Sequence, residues 1–132
     1  EPFLISSSVE GLLAQRLVRR LCPHCRTAYP ALPEVIEEMD LRRFTADDPV
    51  QLYRADGCDH CGGTGYRGRL SIAEVLVMTD DIRQLIMQHS EAGAIQKAAR
   101  AAGMVSMYED GLQKALAGET TVEEVLRVTE ES

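Results

Sequence analysis

The four cysteines of this 132-residue chain fall into two short pairs, Cys22-Pro23-His24-Cys25 and Cys58-Asp59-His60-Cys61. Each pair is a C-x-x-C. Such a turn aims two thiolates at one point, and two turns supply the four ligands of a tetrahedral metal site. Zn²⁺ suits that set best, because it takes four soft ligands and needs no open position when its role is structural. Cys22, Cys25, Cys58 and Cys61 are therefore the candidate ligands of a structural zinc ion. Two disulfides are the first alternative in a secreted chain, but no signal peptide or glycosylation sequon accompanies the cysteines. A redox dithiol would need a thiol of depressed pKa, which a sequence does not display. His24 and His60 lie inside the two turns. With four sulfurs already filling the coordination positions, they are read as loop residues.

No second constellation offers catalysis. The carboxylates cluster at expected helix starts, where the helix dipole accounts for them. The run Gly62-Gly63-Thr64-Gly65-Tyr66-Arg67-Gly68-Arg69 resembles a phosphate cradle but lacks the G-x-x-x-x-G-K-[ST] pattern. It reads as turn chemistry around the metal, with glycine N–H groups directed at sulfur. Arg16, Arg19 and Arg20 place three guanidinium groups within five residues of an acidic chain. They are a candidate contact for a phosphate or acidic partner, against the plainer reading of a solvated face. The net charge of −7 opposes nonspecific nucleic-acid binding. No apolar run is long enough to cross a membrane.

The elements that position the cysteines come next. Aromatic residues make up 5% of the chain and tryptophan is missing, so the core is built from aliphatic side chains. A buried strand is expected at Phe3-Leu4-Ile5. A helix follows, capped by Ser8, with Val9, Leu12, Leu13, Leu17 and Leu21 on one face. Pro23 ends it at the first cysteine pair. Pro33 opens a short helix whose acidic start is Glu34, Glu37 and Glu38, and Val35, Ile36, Met39 and Leu41 give it an apolar side. Gln51-Leu52-Tyr53-Arg54 reads as a strand leading to the second pair. The stretch from Leu70 to Met78 is a strand that could turn helical at Ala73. Beyond it, Thr79 or Asp80, Ser90, Ser106 and Thr121 start four helices. Ser106–Glu109 and Thr121–Glu124 both fit capping boxes. The expected fold is mixed α+β and mostly helical, ending in a small helical bundle.

Three stretches carry a family resemblance: residues 1–8 (EPFLISSS), 14–25 (AQRLVRRLCPHC) and 57–69 (GCDHCGGTGYRGR). Residues 110–118 and 120–129 support it. Together they resemble the C-terminal part of the type II secretion ATPases (general secretion pathway protein E) and the related type IV pilus assembly ATPases. The resemblance is collinear over nearly the whole chain and weakest over residues 30–52. It implies that residues 1–21 are the end of a RecA-like ATPase core, 22–69 a tetracysteine metal-binding domain and 70–132 a C-terminal helical domain. It further implies a parent that hydrolyses ATP with Mg²⁺ as a homohexamer. That parent would sit in the cytoplasm, peripheral to the bacterial inner membrane, bind inner-membrane platform proteins, and drive pseudopilus assembly and export of folded proteins. The parent's nucleotide motifs match no position here, so the chain reads as an excised, non-catalytic piece.

Other classes remain open on the residues alone. A zinc-ribbon nucleic-acid binder would use the arginine cluster and residues 66–69, against the acidity of the chain. A chaperone-like zinc module would use Cys58-x-x-Cys61-x-Gly63-x-Gly65, although the first pair departs from that pattern at residues 26–29.

Overall fold

The computed structural model describes residues 11–130, with side chains from residue 13 onward. The strand expected at Phe3-Leu4-Ile5, the Ser8 cap and Val9 lie outside the described residues, as does the side chain of Leu12. The architecture is mixed α+β. Strands β1 (Gly11–Leu21) and β4 (Tyr66–Val77) pair in one two-stranded sheet, and β2 (Thr27–Pro30) and β3 (Gln51–Arg54) in another. Five helices complete it: α1 (Pro33–Met39), α2 (Asp80–Met87), α3 (Ala92–Ala101), α4 (Met107–Leu116) and α5 (Val122–Thr129).

The helix expected over residues 9–21 is overturned, for residues 11–21 form β1. The i, i+4 spacing of Leu13, Leu17 and Leu21 suggested one helical face. In the structure Leu13 and Leu17 are exposed, while Val18 and Leu21 are buried. Tertiary pairing overrides the helical preference of a Leu- and Arg-rich segment. β4, which carries Tyr66, Ile72, Val75 and Val77, supplies the ladder partner and stays extended through Val77. The end of β1 meets the start of β4, where Cys22 N–H donates to Gly65 O at 2.9 Å. The two longest elements described are thus strands, although helical residues still outnumber strand residues among those described.

The segment between the cysteine pairs carries its own structure. Pro33 stands in the first turn of α1, where its missing N–H costs nothing. β2 and β3 run antiparallel, with Tyr29 opposite Leu52 and Pro30 opposite Gln51. β2 was not foreseen, because Pro30 reads as a breaker; as the last residue of a two-stranded edge it forfeits little.

The described residues divide into two compact units. One holds residues 16–72 and 107–130, the other residues 11–15 and 73–106, and the β1–β4 ribbon contributes to both. In the first, Ala31, Leu41, Val50 and Leu52 pack with Leu112, Ala115 and Val122, and the flanking Val35, Ile36 and Met39 turn toward that core. A second cluster joins Val18, Ile72 and Val128. Helices α4 and α5 approach at Gly111, where an added Cβ would stand 2.6 Å from Val125 Cγ1. In the second unit α2 packs with α3. Thr79 caps α2 by accepting from Ile82 N–H, but the residue before α3 is Glu91, so the expected Ser90 cap stands one residue too early. The last four helices therefore form two pairs, each within its own unit.

Candidate metal centre

The first cysteine turn hangs from the end of β1. Leu21 N–H donates to Glu119 O at 3.0 Å, and Arg26 N–H closes the turn onto Cys22 O at 3.1 Å. The Arg26 guanidinium donates to Gly118 O and lies over the Tyr53 ring. The second pair occupies a short 3₁₀ turn, Asp59–Cys61, whose exit is set by Gly63 N–H donating to Cys58 O at 2.8 Å. Gly65 has φ +83°, and a Cβ there would stand 2.4 Å from the Ala55 Cβ. Glycine is required at that position on both counts.

These turns bring all four sulfurs within 4.8 Å of one another. Cys22 and Cys58 Sγ lie 3.8 Å apart, Cys25 and Cys61 3.9 Å, and Cys58 and Cys61 3.8 Å. A tetrahedron with metal–sulfur bonds of about 2.3 Å has edges of about 3.8 Å. A disulfide would need about 2.05 Å. The sulfurs are thus spaced as ligands of one ion rather than as oxidised pairs. Backbone amides complete the surroundings: Gly57 N–H donates to Cys25 Sγ at 3.3 Å, while Cys58 and Gly65 N–H donate to Cys61 Sγ at 3.2 and 3.1 Å. Such donors stabilise thiolate charge.

The thiols differ accordingly. Burial works against ionising Cys61, but the N–H groups of Cys58, Gly65 and Gly63 outweigh it and bring this thiol down to about 6. Burial pushes Cys25 up to about 11, and Cys58 shifts upward for the same leading reason. A cation placed among them supplies the charge that lets the whole set ionise. The glycine run therefore does what its composition suggested, and the four cysteines can hold a metal ion.

The three arginines have different surroundings. Arg16 Nη1 donates to Val128 O at 2.6 Å. Arg19 meets Glu124 twice, through its backbone N–H at 2.7 Å and its guanidinium at 3.0 Å, and that guanidinium lies over the Tyr66 ring at 4.2 Å. Arg20 is exposed. Glu124, the third residue of α5, was expected to close a capping box. Thr121 Oγ1 does accept from Glu124 N–H, yet the carboxylate turns to Arg19 and Arg127. Its side chain is 2% exposed. Burial would raise its pKa, but hydrogen bonds from Arg127 and Arg19 overcome this and hold it at about 2.

Sequence reasoning missed this network and the α4–α5 connection that collects it. Thr120 Oγ1 donates to Arg19 O at 2.8 Å, and the Tyr66 and Thr121 hydroxyls lie 2.9 Å apart. Residues 118–121 thereby bind the flanks of both cysteine turns. Glu124 was visible only as a capping glutamate, and nothing in the spacing paired it with a residue 105 positions away.

Residues 1–127 match the family model described as type II/IV secretion system protein. The chain is 50% identical over its full length to type II secretion system protein E of Xanthomonas campestris pv. campestris, covering 23% of that protein. It is likewise 50% identical to the type II secretion system ATPase E of Vibrio cholerae, again over its full length and 25% of the relative. The type IV pilus assembly ATPase PilB of Thermus thermophilus is 47% identical over 98% of the chain and 14% of its own length. The chain thus spans a quarter or less of these relatives. The family-model match over residues 1–127 and these full-length similarities place the chain in the type II/IV secretion system protein family.

Proposed function

We propose that this chain is the zinc-binding C-terminal region of a hexameric ATPase that powers type II protein secretion, and that its own task is architectural. The carrying observation is four thiols gathered within 4.8 Å of one another in a chain of this family. Zinc closes the fold between the two cysteine turns, and its binding free energy acts as folding free energy. ATP and Mg²⁺ belong to other parts of the parent, which assembles the pseudopilus for export of folded proteins. The parent lies in the cytoplasm against the inner membrane, touching neighbouring subunits and platform proteins without inserting or binding nucleic acid. Among the described residues no helix is long and apolar enough to cross a membrane. We keep the division into 1–21, 22–69 and 70–132 as a proposal about the parent's architecture. With Arg16 and Arg19 engaged within the chain, Arg20 is the favoured partner contact of the three.

Elemental analysis of the purified protein tests the centre: one zinc per chain is expected, and a metal-free preparation with oxidised cysteines would sink it. ATP hydrolysis by the chain alone would sink the architectural assignment. The similarity to PilB favours a second reading, the corresponding region of a type IV pilus assembly ATPase. Grafting the chain into secretion-defective and pilus-defective hosts separates the two, since rescue of piliation alone would select the second.

A further inference from the structure

His24 and His60 occupy the same position in their two C-x-x-C loops, and their rings stack with centroids 3.8 Å apart and planes 17° from parallel. Both residues are exposed, so the demands of a core do not explain the contact. Ligation does not explain it either. Four sulfurs already fill a tetrahedral set. Imidazole lone pairs lie in the ring plane, and two rings stacked face to face aim them along near-parallel planes that do not converge on one ion.

The loops they belong to come from distant parts of the chain, separated by residues 26–57. Two backbone ties hold the loops from their flanks, Cys22 N–H to Gly65 O and Gly57 N–H to Cys25 Sγ. The ring stack adds a tie across the loops themselves. We infer that His24 and His60 are positioning residues of the metal site: their stack holds the two loops, and so the four sulfurs, at metal-binding separation before the ion arrives. This rests on the reading of the cysteines as a metal centre. Ordering the ligands in advance removes a cost that metal binding would otherwise meet. An aromatic pair of this geometry corresponds to roughly a two- to tenfold change in affinity.

The test is zinc affinity of the full chain, measured by competition with a chromophoric chelator under reducing conditions at pH 8, beside the Co²⁺ absorption spectrum. His24→Ala and His60→Ala are each expected to weaken zinc binding roughly two- to tenfold. The double alanine variant should be no weaker than either single one, because both remove the same contact. The double phenylalanine variant, His24→Phe with His60→Phe, should restore affinity. The Co²⁺ spectrum should remain that of four thiolates throughout. Unchanged alanine variants, losses that multiply, or a phenylalanine pair as weak as the alanine pair would each overturn the proposal. A wild-type spectrum of three thiolates and one imidazole would make a histidine a ligand and overturn it too. If the wild-type chain bound no metal, the metal reading would fall first and the proposal with it.

Discussion

Residues 16–72 with 107–130 and residues 73–106 are each compact, but different forces hold them. The first region buries Leu41, Val50, Leu52, Ile72, Leu112 and Val125 completely or nearly so, and ties distant segments by the tetracysteine cluster and the Arg19–Glu124–Arg127 network. Among the described residues of the second, Ile82 and Ala99 are the buried apolar side chains. Alanine-rich α3 offers little side-chain area to cover. A short helix with a thin interior depends more on its caps and propensity, and less on packing. The first region should therefore open as one high-energy cooperative unit and the second at lower cost.

Metal removal should narrow or erase that contrast most. Structural zinc sites carry apparent binding free energies of about 10–16 kcal/mol near neutral pH. Chelation, or Cys58→Ser, should therefore collapse hydrogen-exchange protection in β2, β3, α4 and α5. Protection in α2 and α3 should change much less. A thermal melt unmoved by chelator would remove the metal from the account of stability.

Core truncation probes the same contrast from both sides. Leu112→Ala should cost about 2–5 kcal/mol and lower protection throughout the first region. Ile82→Ala deletes a comparable volume, but its loss should be confined to α2 and α3. If both variants depress the same set of amides equally, the two units open together and the comparison breaks.

Acid reaches the first region by a defined route. The Glu124 carboxyl is held at about 2 in the fold against an ordinary 4.5. The unfolded chain therefore takes up the proton first as pH falls. The stabilisation is full above about 4.5 and drains away toward about 2. Its size is on the order of 2–3 kcal/mol, lessened by the half-exposed guanidinium groups of Arg19 and Arg127. Glu124→Gln should abolish that acid-dependent component. A Gln variant with an unaltered pH profile would assign acid sensitivity to other groups.

What was legible in the chain was local. The C-x-x-C turns, the Pro33 start of α1, the Thr79 cap and the glycine turn after Cys61 are short-range devices whose chemistry is written in neighbouring residues. What was illegible was set by partners far along the chain. β1 is a strand because β4 lies beside it, and β2 because β3 does. Glu124 sits where a capping box wants it, yet its carboxylate serves Arg19. A period of 3.6 in leucines cannot by itself report which segment will supply the hydrogen bonds.

The two threonine caps give the finest test of the comparison. Thr79 and Thr121 perform the same local act, each accepting an N–H three residues on. Removing a cap costs about 1 kcal/mol. Thr79→Ala should therefore loosen the first turn of α2 by about that amount. Thr121 is 3% exposed, and its hydroxyl also meets the Tyr66 hydroxyl, whose ring supports Arg19. Thr121→Ala removes the cap and leaves a phenol without that partner, so its cost should be roughly twice as large. Thr121→Ser keeps the oxygen and should return most of it. A Tyr66→Phe background should bring the Thr121→Ala cost back toward that of Thr79→Ala, because the second interaction is already gone. Equal costs for the two alanine variants in the parent background would mean that the Tyr66 contact adds nothing. The α5 cap would then be as local as its counterpart on α2.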